Sequence, residues 1–313
     1  MIEKGFHLQL GQSEEYQGSG CSMLEGFFSK KKLALISNLV FQDLSHLSWQ
    51  YTLADVATRV VRSREIEELM SSQCFRSLMQ HLSQYGLLFA SAELTMFDST
   101  PNVYKTWSAA PQRYSNQAPL DKGCTLWVPL NIGCDKPWLF ASFLPKKLGY
   151  GEALYKHLDN VVGLDGHACI YEASRKSKNL LSLWESLLKS SEMDSLLNKY
   201  CSSCFVAPGS ALLCDKEVFL RFCCRSSGSQ SRKVLLGLTF YSDDSIFCYD
   251  EKNSPISFNS SSSVLSKECV KNYHGKPVSD LPVFREEPFR KLSLGCYKGK
   301  RVDELFDPSI NID

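Results

Sequence analysis

The chain has 313 residues, a formal net charge of +1, 43% apolar and 22% charged side chains. That length suits one large β domain with added helices or two small domains, and the composition is that of an ordinary globular protein. A charge so close to zero argues against broad electrostatic capture of nucleic acid, which wants a clearly basic face. Lys30-Lys31-Lys32 and Lys146-Lys147 are small clusters that read as solvated surface. No apolar run of signal length follows Met1-Ile2-Glu3-Lys4-Gly5-Phe6, and no window approaches ~18 uninterrupted apolar residues. The expectation is a cytoplasmic protein with no membrane contact. The 13 cysteines are odd in number and scattered, which reads as reduced, buried thiols serving as small hydrophobes.

Along the chain, residues 1–35 read as irregular, with Gly11, Gly18 and Gly20 among polar residues, before an apolar segment through Leu33–Ile36 and Leu39–Phe41. Ile66, Leu69, Met70, Phe75, Leu78, Met79 and Leu82 fall at helical spacing. Ser63 is placed to cap that pattern and Gly86 to end it, while Ser71-Ser72-Gln73 is a point where it divides in two. A β region starts at Leu87. Further strands are expected around Trp127, at Leu139–Leu144, near Phe205-Val206, Ala211–Leu213 and Val218–Leu220, and over Val234–Tyr241. Helices are expected over residues 150–160 and from Asn179 to Tyr200, where Leu180, Leu181, Trp184, Leu187, Leu188, Leu196 and Leu197 make an apolar stripe. Short strands separated by Gly, Asp and Ser turns suit a jelly roll. The whole reads as α+β, mainly β. A domain over 1–255 is expected to hold the strands with N-terminal and inserted helices, and 256–313 to be an extension wrapping it.

The most informative stretch is Leu94-Thr95-Met96-Phe97-Asp98-Ser99-Thr100-Pro101-Asn102-Val103-Tyr104-Lys105-Thr106-Trp107-Ser108-Ala109-Ala110-Pro111, followed by Thr125-Leu126-Trp127-Val128-Pro129-Leu130. It reads as a strand, a turn, a second extended piece ending in Trp-x-x-x-Pro, and a short apolar strand closed by Pro-Leu. This arrangement resembles the phytanoyl-CoA dioxygenase-like branch of the non-haem iron(II), 2-oxoglutarate-dependent oxygenases, over roughly residues 35–245. In that family Trp-His-x-Asp-Pro supplies two of three iron ligands and a Trp-(Val/Ile)-Pro-Leu strand follows. The resemblance implies a double-stranded β-helix, a cupin-like jelly roll, flanked by helices.

The resemblance also exposes departures. Ser108 stands where the histidine should be and Ala110 where the aspartate should be. The distal histidine should lie within Leu220-Arg221-Phe222-Cys223-Cys224-Arg225, and none is there. Iron(II) in such enzymes needs two imidazoles and one carboxylate on one face, and neither a hydroxyl nor a methyl group replaces them. Gly209-Ser210-Ala211-Leu212-Leu213 resembles the opening turn of the second half. Arg232 resembles the arginine that grips the distal carboxylate of 2-oxoglutarate, a task for which the planar guanidinium fork is suited. Lys105 and Arg113 flank the vacated positions, where they would turn a cation site into an anion site or simply point to water. Arg221, near the old ligand position, would repel a cation. Trp107 and Trp127 suit core packing as well as ligand stacking.

Other chemistry is thinly represented. His157, His167 and Asp165 are the elements of a relocated facial set, or surface residues. Cys201-Ser202-Ser203-Cys204, with Cys223-Cys224 nearby in sequence, is half of a zinc pattern that normally shows two spaced pairs. No Gly-x-Ser-x-Gly elbow, phosphate loop or His-Glu-x-x-His is present. Three functions stay open at this point. The first is a non-catalytic descendant that binds a small anionic ligand or a protein partner through Lys105, Trp107, Ser108, Ala110, Arg113, Trp127, Arg221 and Arg232, with no cofactor. The second is an active oxygenase with a displaced site, using Fe(II) and 2-oxoglutarate. The third is a divalent-cation-responsive transcriptional regulator.

Overall fold

A computed structural model describes residues 2, 6, 11–45, 53–83, 86–97, 123–131, 137–146, 190–215, 218–224, 233–243, 245, 272–273 and 275–282. The elements are α1 (Gln12–Ser19), β1 (Cys21–Leu24), α2 (Lys30–Leu44), α3 (Leu53–Val61), α4 (Arg64–Ser71), α5 (Gln73–Ser83), β2 (Leu87–Phe97), β3 (Gly123–Asn131), β4 (Leu139–Phe143), α6 (Ser191–Tyr200), β5 (Ser202–Val206), β6 (Ala211–Asp215), β7 (Leu220–Cys224) and β8 (Lys233–Ser242). Helices take about as much of the described chain as strands, so the architecture is mixed rather than mainly β. No described helix is long and apolar enough to cross a membrane.

The strands form two antiparallel sheets. The larger has the order β1-β6-β3-β8-β2 and the smaller β5-β4-β7. The described strands from β5 to β8 alternate between the sheets, which draws them face to face. Side chains alternate across each strand of the large sheet. Ala211, Leu213, Val234, Leu236, Leu238, Phe240, Leu126 and Val128 pack on the helices, with Phe75 of α5 against Phe240 at 6.2 Å. Leu212, Cys214, Leu235 and Trp127 face the small sheet and join Leu139, Ala141, Val206, Leu220 and Phe222 in a second core. The described residues therefore form three layers: helices, a five-stranded sheet and a three-stranded sheet.

One irregularity sets which side chains of β2 face which core. Phe89 pairs with Phe240, but Ser91 pairs with Thr239, so Ala90 is an extra residue. Such a bulge shifts the alternation by one. Odd-numbered residues face the helices before it (Phe89) and the small sheet after it (Phe97).

The helical pattern divides at Ser72, as its spacing predicts, and Ser63 caps α4 by accepting from the Ile66 N–H at 3.3 Å. Two expectations need correction. Within the segment expected to be irregular, residues 11–35 hold α1, β1 and the start of α2. The sequence of α1, Gln-Ser-Glu-Glu-Tyr-Gln-Gly-Ser, has no apolar stripe; it is held by tertiary contacts, with Gln12 Nε2 donating to the Met23 carbonyl at 2.8 Å and Gln17 Nε2 to the Leu82 carbonyl at 2.6 Å. Nor does one helix run unbroken from Asn179 to Tyr200. Ser190 is extended and accepts from the Met193 N–H at 3.2 Å, which starts α6 at Ser191. Residues 150–160 and 179–189 lie outside the described residues.

Candidate functional site

The space between the sheets is where the sequence reading places a site, and the register shows which side chains line it. On the large sheet, Glu93 of β2, Gly237 of β8, Trp127 of β3 and Leu212 of β6 stand in one row. The next row holds Ser91, Thr239, Thr125 and Cys214, with the Thr125 and Thr239 hydroxyls 3.1 Å apart. Gly237 is required here: a Cβ on it would meet Trp127 Cζ3 at 2.6 Å and Glu93 Cγ at 3.0 Å. The missing side chain lets the indole lie over the strand. The far side of that indole meets Phe222 of β7 edge-on, with centroids 5.1 Å apart. Trp127 is thus an inward residue that bridges the two sheets as core.

Glu93 sits at the sheet's edge strand. Its side chain is exposed to solvent on one side, while the protein atoms packed around the other side desolvate the carboxyl and raise its pKa. Lys233, the first residue of β8, lies on the same face of the strand as Leu235 and is only 4% exposed. A lysine so buried is uncommon. It stands at the end of the sheet marked by Phe97, with which it is in register, and Phe97 in turn packs on Trp138 at 5.5 Å.

Arg221 corrects the sequence reading. It is 7% exposed, but it does not face the space between the sheets. The inward positions of β7 are Leu220, Phe222 and Cys224, so Arg221 lies on the outer face of the small sheet. There Nη1 donates to Asp194 Oδ1 at 2.7 Å and Nη2 to Asn198 Oδ1 at 2.5 Å, both on α6. Its role is to fasten a helix to the sheet. Lys105, Trp107, Ser108, Ala110, Arg113 and Arg232 lie outside the described residues, as do His157, His167 and Asp165. Lys233, one position beyond Arg232, is the inward cation that the sequence reading passed over. The strand-face alternation identifies it once Leu235 is known to point inward.

The cysteine pattern does not assemble a zinc site of the expected kind. β4 lies between β5 and β7, with Cys204 opposite Ala141 and Cys223 opposite Phe140. Cys204 faces inward and Cys223 outward. Among the described residues, no three His, Cys, Asp or Glu side chains are grouped so as to hold a metal ion. The inward face of β7, where the family resemblance looks for an imidazole, carries leucine, phenylalanine and cysteine.

A cavity of about 460 Å³ opens at the edge where β1 and β6 approach β4 and β5. Glu14 and Glu15 of α1 stand at its rim, and Cys21, Met23, Leu212, Phe143 and Cys204 line its wall. Burial pushes the Cys204 thiol up to about 12, aided by the charges of Cys214 and Glu15.

This arrangement of two antiparallel sheets with helices outside the larger is similar in fold to solved 2-oxoglutarate-dependent oxygenases, which are jelly rolls. The chain is similar to the crystal structure of EctD from S. alaskensis with 2-oxoglutarate and 5-hydroxyectoine, at a TM-score of 0.51 and 11% identity over 89% of this chain and 88% of that one. It is also similar to the non-heme alpha ketoglutarate dependent epimerase SnoN from nogalamycin biosynthesis, at 0.50 and 12% identity over 85% of this chain and 91% of that one. At such identity the likeness is one of fold. No protein-family model and no curated protein matches the chain by sequence.

Proposed function

We propose that the chain is an oxygenase-like double-stranded β-helix that binds a small anionic ligand between its sheets without iron, and so acts as a binding or regulatory protein rather than a catalyst. The observation that carries this reading is the pairing of faces at the candidate site. The inward side of β7 is apolar and closed by the Phe222–Trp127 contact, while β8 presents the buried ammonium of Lys233. A fixed cation in a low-dielectric space attracts a carboxylate far more strongly than one in water. Ser108 and Ala110 in the iron-ligand positions support the same reading, since neither side chain replaces the ligand lost. Function in such scaffolds lives in the site rather than the fold, so the same walls can serve binding without a metal.

Calorimetry of the full chain with 2-oxoglutarate, a small dicarboxylate, tests this in the presence of chelator and again with Fe(II). The expected result is binding that Fe(II) does not change and that Lys233→Met weakens about tenfold or more, the scale of one charge-assisted contact. Binding that appears only with Fe(II), or release of succinate on aeration, overturns it.

A further inference from the structure

We propose that Cys21 and Cys214 are a redox clip: a cross-strand thiol pair that closes to a disulfide when a small-molecule disulfide enters the cavity beside it. The two residues are directly opposite each other in the β1–β6 ladder, with Sγ atoms 3.2 Å apart. Directly opposed residues of antiparallel strands have Cα atoms about 4.5–5.5 Å apart, inside the range that a disulfide spans. No strand has to shift for the bond to form. Both thiols are buried, but Cys21 lines the cavity whose rim carries Glu14 and Glu15, so an oxidant has a route to one sulfur of the pair.

The chemistry balances without a metal. The Cys21 thiolate attacks one sulfur of R–S–S–R, forming a mixed disulfide and expelling R–S⁻, which takes up the proton that Cys21 gave up. The Cys214 thiolate then attacks Cys21 Sγ and expels the second R–S⁻, which is protonated in turn. Two electrons pass from the thiol pair to the oxidant, and two R–SH leave. Burial, then the hydrogen bond to Cys214, raises the Cys21 thiol well above its ordinary value, so closure is slow at neutral pH and quickens in base. The acidic rim favours a cationic disulfide over an anionic one.

What the clip changes is β1. This four-residue strand ends the large sheet, is held to it by the β6 ladder and forms one wall of the cavity. A bond between positions 193 residues apart in sequence restrains the unfolded chain strongly and fixes that wall.

The reduced full chain is treated with cystamine, a cationic disulfide, and with dithiodiglycolate, an anionic one, at pH 7, 8 and 9, and then mapped by mass spectrometry without reduction. The expected product is a Cys21–Cys214 linked peptide two hydrogens lighter. It should form faster with cystamine and gain about tenfold in rate per pH unit. Tm should rise by about 3 °C or more and fall back on adding dithiothreitol. Cys214→Ser should lose the linked peptide and the shift. The reversible shift in the unaltered chain decides the matter should that variant fold poorly. Cystamine adducts that stay as mixed disulfides, links confined to other cysteines, or an unchanged Tm would overturn the proposal.

Discussion

Arg221 reaches from β7 to Asp194 on α6 with 2.7 Å between Nη1 and Oδ1, and the two partners are unequally buried: the arginine side chain is 8% exposed and the aspartate 42%. The inequality predicts which partner is costlier to lose. Removing the carboxylate takes one charged partner from a guanidinium that is buried, at about 3 kcal/mol. Removing the guanidinium leaves a carboxylate that water still reaches, at about 1 kcal/mol. Asp194→Ala should therefore destabilise more than Arg221→Met in urea denaturation. The reverse order would show that Arg221 is not held as described. Because Arg221 faces away from the space between the sheets, Arg221→Met should leave dicarboxylate binding unchanged.

Gly237 and Trp127 make a second pair whose members depend on each other. Gly237→Ala places a methyl group where the indole lies, forcing Trp127 off Phe222. A loss of about 1–3 kcal/mol is expected, as for other overpacked cores, with a red shift of tryptophan emission. Trp127→Leu in the same chain should recover part of that loss. Equal losses in the single and double variants would show that the clash is not with the indole.

Glu93 supplies a pH dependence whose sign can be worked out. Desolvation raises its carboxyl above the ordinary 4.5, so the folded chain holds this proton more tightly than the unfolded chain does. Its contribution to stability is therefore most favourable below the ordinary value and is lost as pH rises through the raised one. Glu93→Gln should raise Tm at pH 7 and leave it nearly unchanged below about pH 4. A variant less stable than the parent at neutral pH would mean that the carboxylate has a partner that outweighs its desolvation.

Ser63 predicts a smaller effect. Its hydroxyl accepts from the Ile66 N–H at the start of α4, so Ser63→Ala should cost about 1 kcal/mol by denaturant titration, and Ser63→Asp little or nothing. A neutral alanine variant would mean that the cap is replaced by water.

How far the fold could be read in advance follows from the burial pattern of each segment. The halves of the helical stretch, Arg64–Ser71 and Gln73–Ser83, show one apolar face and declare themselves. So do the limits of β2, whose ends are marked by Gly86 and Asp98. By contrast, every residue of β7 and of β8 is buried, because cores or helices cover both their faces. A strand buried on both sides has no alternation from which to read orientation. Neither the outward turn of Arg221 nor the inward turn of Lys233 is therefore marked in the sequence. The bulge at Ala90 is equally silent in sequence, although it decides that Glu93 points toward the small sheet. For α1, with no apolar stripe, the cue lies in Met23 and Leu82, whose carbonyls it binds and which are distant along the chain.

The burial of Leu281 has a consequence for any attempt to shorten this protein. That leucine is 0% exposed and belongs to the cluster formed by the helices and the large sheet, with Tyr273 packed against it. A chain trimmed after β8 would leave that place in the core empty. The smallest piece expected to survive heating as well as the whole must therefore retain residues some forty positions past Ser242.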